Sequence, residues 1–311
     1  MTLMLLDAAS LYFRAFYGVK SPMPASDGTP TNAVRGFLDM TSTLVRRFHP
    51  ADLVACVDQD WRPVWRVALL PSYKTHRLSG PGPVQVAGAP PGEAEPPGLA
   101  EQVPIIFDAL GALGVAAVGA AEHEADDVIA TLAARAAGPV DVVSGDRDLF
   151  QVVDDARGVR VLYTARGVTR LEIMDGAAVT ARFGIAPAQY ADFATLRGDA
   201  SDGLPGVPGI GAKTAASLLR TFGTLDALTE AAAGGDPRAA AVAARLEASR
   251  DYLSRAPAVV RAVQTLALPA VDTTLPQHPP DDRRLADLAV RWGIGEALAR
   301  AVTALHGRPG A

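Results

Sequence analysis

Nine acidic residues are the part of this chain best suited to chemistry. Most of them directly follow a short apolar run or stand beside another acid: Asp7; Asp58; Glu124, Asp126 and Asp127; Asp146 and Asp148; Asp199 and Asp202. Carboxylates that are gathered at one place repel one another unless protons or cations intervene. With no softer ligand nearby, the fitting cation is Mg²⁺, which prefers carboxylate and water oxygens, with Mn²⁺ as the expected substitute. The acids therefore predict a site for two or more hard metal ions.

Each acidic segment also has an ordinary structural interpretation. HEADD at 123–127 opens a predicted helix, where acids cap free amides and favour the helix dipole. SGDRD at 144–148 resembles a surface turn with an exposed ion pair, which contributes little. Three carboxylates in four residues exceed what capping requires, and the clusters taken together favour metal binding.

The segment GDASDGLPGVPGIGAKTA, residues 198–215, carries the most specific signal. It joins an acidic pair to a glycine-rich hairpin that opens a helix. Glycines permit close backbone approach, and the amides of such a turn can cradle a phosphate. The start of the helix adds positive potential beside Lys213. The segment predicts contact with phosphates.

The segment PSYKTHR, residues 71–77, supplies basic groups near the acids. A solvated helix face is the ordinary interpretation. Beside a metal site, Lys74 could contact a scissile phosphate and Arg77 a neighbouring one. Tyr73 offers a ring on which a base could stack.

Composition limits the class of protein. The chain has 311 residues, of which 49% are hydrophobic, as in a globular protein. No apolar run reaches the ~18–20 residues that cross a bilayer, and the start lacks the basic segment of a signal peptide. The lone Cys56 fits a reducing compartment and is expected to be inert core. We therefore expect a cytoplasmic protein that acts away from membranes.

Net charge at first argues against a nucleic-acid partner, because it is −5 for the whole chain. Setting aside the nine clustered acids turns −5 into +4 for the remainder. Bound metal ions would neutralise much of the cluster and leave a mildly basic surface.

Apolar periodicity places the acids on a sheet. Strands are predicted at 2–7, 53–58, 115–119, 140–145 and 159–164, and helices at 30–48, 101–113 and 124–137. Strands that alternate with helices form a parallel α/β sheet, which binds ligands beyond the carboxyl ends of its strands. The acids fall at that edge.

Two further segments divide the chain. After residue 175 the pattern changes to helices and turns, which predicts an α/β core over 1–175 and a helical domain over 176–311. Residues 79–98 contain six prolines, five glycines and no lysine or arginine. This composition favours an irregular loop over the site, although a tolerated surface insertion is the alternative.

The chain closely resembles the 5′-nuclease family. This family includes bacterial 5′–3′ exonucleases, the exonuclease domain of bacterial DNA polymerase I and flap endonucleases. The resemblance spans essentially the whole chain. It rests on motifs in the expected order: LLD, VD, YKTHR, HEADD, SGDRDLFQV and GDASDGLPGVPGIGAKTA. It implies a PIN-like core and a stand-alone nuclease, since no polymerase domain follows.

The resemblance also implies roles for particular residues. It assigns Asp7, Asp58, Glu124, Asp126 and Asp127 mainly to one metal group and Asp146, Asp148, Asp199 and Asp202 mainly to a second. It makes residues 190–222 a helix–hairpin–helix element that grips duplex phosphates, with K⁺ as a possible ligand. Its contact residues would be Gly206, Val207, Gly209, Ile210, Gly211, Lys213 and Thr214. Residues 72–104 would form a lid or arch for a single-stranded 5′ end. Two positions depart from relatives: Gly203 replaces a common Asn, and His123 a common Tyr.

The resulting expectation is a monomeric, Mg²⁺-dependent 5′–3′ exonuclease and 5′-flap endonuclease that acts in replication and repair, including RNA-primer removal from Okazaki fragments. Its substrates would be DNA with a free 5′ end or flap, and RNA–DNA hybrid, and it would cooperate with a polymerase and a ligase. One alternative is a catalytically weak DNA-junction binding protein. The other is a ribonuclease with a similar acidic core, although such cores usually lack the hairpin.

Overall fold

The protein is described here by a computed structural model that covers residues 1–79, 96 and 98–307. A single six-stranded sheet forms its centre. Its strands are β1 (Leu3–Asp7), β2 (Asp52–Val57), β3 (Ala116–Gly119), β4 (Val140–Ser144), β5 (Val159–Tyr163) and β6 (Glu172–Met174). Their order is β3-β2-β1-β4-β5-β6, and all pairs are parallel except β5 with β6. The five predicted strands are confirmed, and β6 was missed because three residues show no periodicity.

The strands form where the sequence is apolar on both sides of the chain. Leu5 and Leu6 in β1, and Ala55 and Cys56 in β2, are fully buried. Strands covered by helices on both faces read as continuous apolar runs, which is the pattern here. Burial raises the pKa of the Cys56 thiol well above its ordinary value, as expected for an inert core cysteine.

Helices cover both faces of the sheet. Those before the last strand are α1 (Ala8–Gly18), α2 (Asn32–Phe48), α3 (Val64–Leu69), α4 (Gln102–Ala112) and α5 (Ala125–Arg135). Those after it are α6 (Gly176–Phe183), α7 (Tyr190–Arg197), α8 (Ala212–Phe222), α9 (Leu225–Ala233), α10 (Ala240–Ala248), α11 (Arg250–Val260), α12 (Asp282–Trp292) and α13 (Gly295–His306). The three predicted helices match α2, α4 and α5 to within two residues at each end.

The sheet separates two hydrophobic cores. One joins α5 to the later helices α7–α11, so packing is continuous across the predicted boundary at residue 175. The other joins α1, α2 and α4 to α12 and α13. The last two helices therefore return to the α/β core, where α13 packs on α2 and α12 packs on α4.

Two sequence expectations concern regions of the fold beyond the core. Residues 80–95 and 97, most of the predicted lid over 72–104, lie outside the described residues. Within the described residues, none of the helices combines the length and the apolar character needed to span a bilayer.

The strand order fixes where a ligand can bind. β1 lies between β2 and β4, and the direction in which successive strands are added to the sheet reverses between β1 and β4. A crevice opens beyond the carboxyl ends of strands at such a point. Asp7 ends β1, and Asp146 comes two residues after β4.

Candidate functional site

A cavity of about 340 Å³ opens at this edge of the sheet. Five of the nine predicted acids line it: Asp7, Asp58, Glu124, Asp126 and Asp146. Three basic side chains, Arg14, Lys74 and Arg77, line it as well. A smaller void adjoins it, where Asp148 and Asp202 lie with Glu124 and Asp126. The predicted meeting of acids from separate segments is therefore present in the structure.

Asp7 is buried in the cavity wall, with 6% of its surface exposed. Its Oδ1 accepts a hydrogen bond from the Ser10 amide at 3.0 Å and caps α1, and its Oδ2 accepts one from Ser144 Oγ at 2.6 Å. Burial and then the nearby Asp58 raise the pKa of Asp7 to about 7. Asp7 thus caps α1 through one oxygen and still lines the cavity predicted to bind metal.

Asp126 and Asp148 carry the strongest electrostatic conflict in the site. Burial, followed by repulsion from Asp146, raises the pKa of both carboxyls well above the ordinary value. A group of buried oxygens that repel one another fits a hard divalent cation. Among the described residues no three acids converge closely enough to enclose an ion, so the carboxylates line the cavity wall without forming a closed cage.

Glu124 is held by cations and a hydroxyl. Its carboxylate forms ion pairs with Lys74 and Arg66, and it accepts a hydrogen bond of 2.6 Å from the Tyr73 hydroxyl. Although burial opposes ionisation, Lys74 and Arg66 hold the pKa of Glu124 below its ordinary value. Tyr73 is only 4% exposed, so its ring cannot stack on a base as predicted. Its hydroxyl instead fixes Glu124.

Asp127 differs from the other predicted ligands. It is fully buried, lies outside the cavity lining, and accepts hydrogen bonds from Arg66 Nη1 at 3.0 Å and Nη2 at 2.7 Å. It also accepts one from the Val263 amide at 2.8 Å and completes a capping box with Glu124. Asp127 therefore has the capping contacts that the sequence also allowed for this segment.

Asp199 is likewise occupied by protein donors. Arg197 Nη2 lies 2.7 Å from its carboxylate, Arg147 Nη2 lies 3.4 Å away, and the Ser201 amide donates at 3.0 Å. Burial opposes ionisation, but Ser201 and the two arginines lower the pKa of Asp199. Its predicted partner Asp202 instead faces the basic motif, with Arg77 Nη2 at 3.5 Å.

Sequence reasoning missed Arg14. It lies on α1 seven residues after Asp7, and seven residues are about two helical turns, so both project toward one side. Its Nε is buried and has no hydrogen-bond partner in the described structure. An unpartnered guanidinium nitrogen at an acid-lined cavity is available to an anionic ligand. The spacing LLDAASLYFR was the signal that could have revealed it.

The predicted hairpin joins α7 to α8. The side chains of Val207 and Ile210 are buried and anchor it, and the Ile210 amide donates to the Val207 carbonyl at 2.9 Å. Gly209, Gly211, Lys213 and Thr214 are exposed. Gly211 begins α8 in extended conformation without a side-chain cap. Val207 and Ile210 can therefore contact a ligand only through their backbone.

Gly203 connects this segment to the basic motif. Its φ is +70°, and a Cβ on it would lie 2.0 Å from the Ser72 carbonyl oxygen. Next to it, the Asp202 carbonyl accepts a hydrogen bond of 3.0 Å from the Lys74 amide. Glycine at position 203 thus allows a close backbone contact with Ser72.

We expect Gly203→Ala to destabilise the protein by more than the ~1–2 kcal/mol typical of an L-residue forced into this conformation. The added clash with Ser72 must displace the backbone of Lys74. Urea unfolding measures the loss, with Gly235→Ala as the control because that glycine has φ +77° and open space around its Cβ position. Equal losses in the two variants would show that the contact with Ser72 is unimportant.

Comparison with known proteins defines the family. The model of the 5′–3′ exonuclease N-terminal resolvase-like domain matches residues 2–184, and that of the 5′–3′ exonuclease C-terminal SAM fold matches residues 185–283. The chain belongs to the 5′–3′ exonuclease family. The family predicted from the motifs is confirmed, and so is the prediction that the protein is a nuclease.

Individual relatives agree. The exonuclease is 54% identical to the 5′–3′ exonuclease of Streptomyces coelicolor over 305 residues, 97% of this chain and 99% of that protein. It is 46% identical to the 5′–3′ exonuclease of Mycobacterium tuberculosis over 321 aligned positions, 99% of each.

Solved structures agree on the fold. Bacteriophage T5 flap endonuclease, in a pseudo-enzyme–product complex with DNA and metal ions, has a TM-score of 0.63 at 18% identity. The match covers 99% of this chain and 100% of that one. The predicted α/β core with a C-terminal helical domain is confirmed.

Proposed function

We propose that this exonuclease hydrolyses DNA phosphodiester bonds from a free 5′ end and at 5′ flaps, with Mg²⁺ as its cofactor. The observation that carries the proposal is one cavity in which five carboxylates face Arg14, Lys74 and Arg77. Acids suit cations, and the three basic groups suit a phosphate held between them. A phosphodiester and divalent ions together satisfy both sets of charges.

The nine acids are assigned different roles according to whether a basic side chain pairs with them in the structure. Asp7, Asp58, Asp126, Asp146 and Asp148 are assigned as the principal metal ligands, because no guanidinium or ammonium group of the described residues pairs with their carboxylates. Glu124 and Asp202 are ligands that would exchange a basic side chain for an ion. Bound ions would activate water and stabilise the leaving oxygen. Asp127 and Asp199 act by positioning, through Arg66 and Arg197.

The basic side chains stabilise the phosphate. Lys74 is 8% exposed and Arg77 about one-third exposed, so the lysine lies deeper in the cleft. Donors fixed in a water-poor site stabilise developing charge more strongly than they would in water. We assign Lys74 and Arg14 to the reacting phosphate and Arg77 to its neighbour.

The hairpin is proposed to bind the duplex. Exposed Gly209 and Gly211, with the uncapped start of α8, offer backbone amides to phosphate, and Lys213 and Thr214 lie beside them. Such contacts read backbone shape and not sequence, and K⁺ could bridge the hairpin carbonyls to a phosphate. A monomer acting with a polymerase and a ligase in replication and repair fits this recognition, with RNA–DNA hybrid as a second substrate.

A labelled 5′-flap duplex tests the proposal directly. Wild-type protein with Mg²⁺ or Mn²⁺ is expected to release the flap, and Asp146→Asn is expected to release none. Absence of cleavage by folded wild-type protein across a range of both ions would overturn the proposal. Retained duplex binding in that case would indicate a junction-binding protein.

Lys213→Ala is expected to weaken duplex binding and to reduce the slope of log affinity against log salt by about 1, because one phosphate contact is lost. Fluorescence anisotropy over a salt series measures both quantities. Arg46→Ala is the matched control, since Arg46 is an exposed cation in the last turn of α2, at the opposite edge of the sheet. An unchanged slope would remove Lys213 from the contacts.

A further inference from the structure

We propose that Arg66 is a positioning residue that orients Glu124 and Asp127. Through them it connects α5 to the hairpin between α7 and α8, which is proposed to bind the duplex. The inference rests on the proposed metal site and adds to it a residue that contacts neither metal nor DNA. Arg66 belongs to α3 and is 3% exposed. It lies outside the acidic motifs and the basic motif that the sequence analysis singled out.

The guanidinium of Arg66 makes four hydrogen bonds to three partners. Its Nη1 bonds both Glu124 and Asp127, its Nη2 lies 2.7 Å from Asp127 Oδ1, and its Nε donates to the Val259 carbonyl at 3.1 Å. Glu124 faces the cavity and Asp127 does not. One planar group thus bonds a cavity acid and a fully buried carboxylate that also accepts a hydrogen bond from the Val263 amide.

A second set of bonds carries this link toward the hairpin. Asp127 accepts from the Val263 amide, and Thr131 donates to the Val263 carbonyl at 2.9 Å, which holds the chain after α11 against α5. Within α11, the Tyr252 hydroxyl donates to the Thr195 carbonyl of α7 at 2.9 Å. Since α7 leads into the hairpin, these hydrogen bonds connect Arg66 and the acids to the hairpin that is proposed to bind the duplex.

The chemistry of this site requires arginine. A guanidinium offers five donors in a planar fork, whereas an ammonium offers three around one point. Lysine could neutralise the two carboxylates but could not bond both of them and the Val259 carbonyl in this geometry. Arg66→Lys therefore keeps the charge and removes the orientation, which separates positioning from simple neutralisation.

The test measures Mn²⁺ binding to the full chain by electron paramagnetic resonance, without DNA, and records the melting temperature alongside. Loss of a group that orients metal ligands typically weakens affinity 10–100-fold, so Arg66→Lys is expected to weaken Mn²⁺ binding about 10-fold or more with unchanged stoichiometry. Arg160→Lys is the matched control, because Arg160 pairs with buried Asp141 at 2.7 Å on the sheet, away from the cavity. It should leave Mn²⁺ affinity unchanged.

Wild-type Mn²⁺ affinity in Arg66→Lys, even with a lower melting temperature, would overturn the proposal and leave Arg66 a purely structural residue. If that variant does not fold, Asp127→Asn replaces it, since it keeps the shape of the site. Weaker binding with full stoichiometry then supports positioning, and loss of one bound ion contradicts it by making Asp127 a ligand. Because Mn²⁺ binding is measured without substrate, failure of wild-type protein to cut a flap would overturn the proposed function separately.

Discussion

Asp126→Asn is expected to cut a 5′-flap duplex at least ~100-fold more slowly than wild type and yet to be more heat-stable in the absence of divalent ions. In the folded protein, burial and repulsion from Asp146 and Asp7 raise the pKa of Asp126 well above its ordinary value. A pKa that is higher in the folded than in the unfolded state means that the fold disfavours the charged carboxylate, which costs folding free energy at neutral pH because the unfolded chain bears the charge in water. An amide of the same shape removes that cost. It also removes a proposed ligand, and we expect at least a ~100-fold loss of cleavage, the upper range for groups that only support ligands.

Calorimetry in EDTA and cleavage in Mg²⁺ measure the two halves of this prediction. Asp287→Asn is the control, because Asp287 is exposed in the middle of α12 and should change neither quantity. A lower melting temperature for Asp126→Asn would show that Asp126 is satisfied in the metal-free protein. Wild-type cleavage would remove it from the metal ligands.

Metal addition should reverse the order of stability. A ligand that binds only the folded state stabilises it by RT ln(1 + [L]/Kd), about 2.7 kcal/mol at a concentration 100 times Kd. Wild-type protein should gain this increment with Mg²⁺, and Asp126→Asn should gain less. The buried acids thus lower the stability of the metal-free protein, and bound divalent ions restore it. Functional sites commonly reduce folding stability in this way.

The sequence was sufficient to place the cavity because parallel strands have an edge in common. Asp7 and Asp58 follow apolar runs long enough to be strands, and Asp146 follows a third. Parallel pairing of β1 with both neighbours brings their carboxyl ends together whatever the details of helix packing. Local pattern and general topology therefore determined which acids would meet.

Side-chain partners could not be predicted in the same way. Arg66 reaches Glu124 and Asp127 across 58 and 61 residues of sequence, from a helix, α3, that packs on α11. Before that contact is known, HEADD reads as three equivalent acids, although one faces away from the cavity. Periodicity likewise marks α13 as amphipathic without indicating that its apolar side packs on α2.

Lys74→Met is expected to damage both folding and catalysis, and the two effects should separate. Lys74 is buried against Glu124, and removing one partner of a buried ion pair typically costs 3–5 kcal/mol. Glu124 keeps Arg66 and Tyr73, so we expect the lower end, about 3 kcal/mol in urea unfolding. Loss of a fixed cationic donor at the phosphate should reduce cleavage about 10²–10³-fold.

The double variant Lys74→Met with Glu124→Gln distinguishes the two roles of the lysine. The glutamine no longer leaves an under-neutralised charge in the core, so much of the lost stability should return. Cleavage should not return, because the phosphate still lacks its donor and the site has lost a carboxylate. Lys20→Met is the control, since Lys20 is exposed. Wild-type stability in the single variant would show that the pair with Glu124 is weak. Recovered cleavage in the double variant would mean that Lys74 serves only to neutralise Glu124, and its assignment to the phosphate would be wrong.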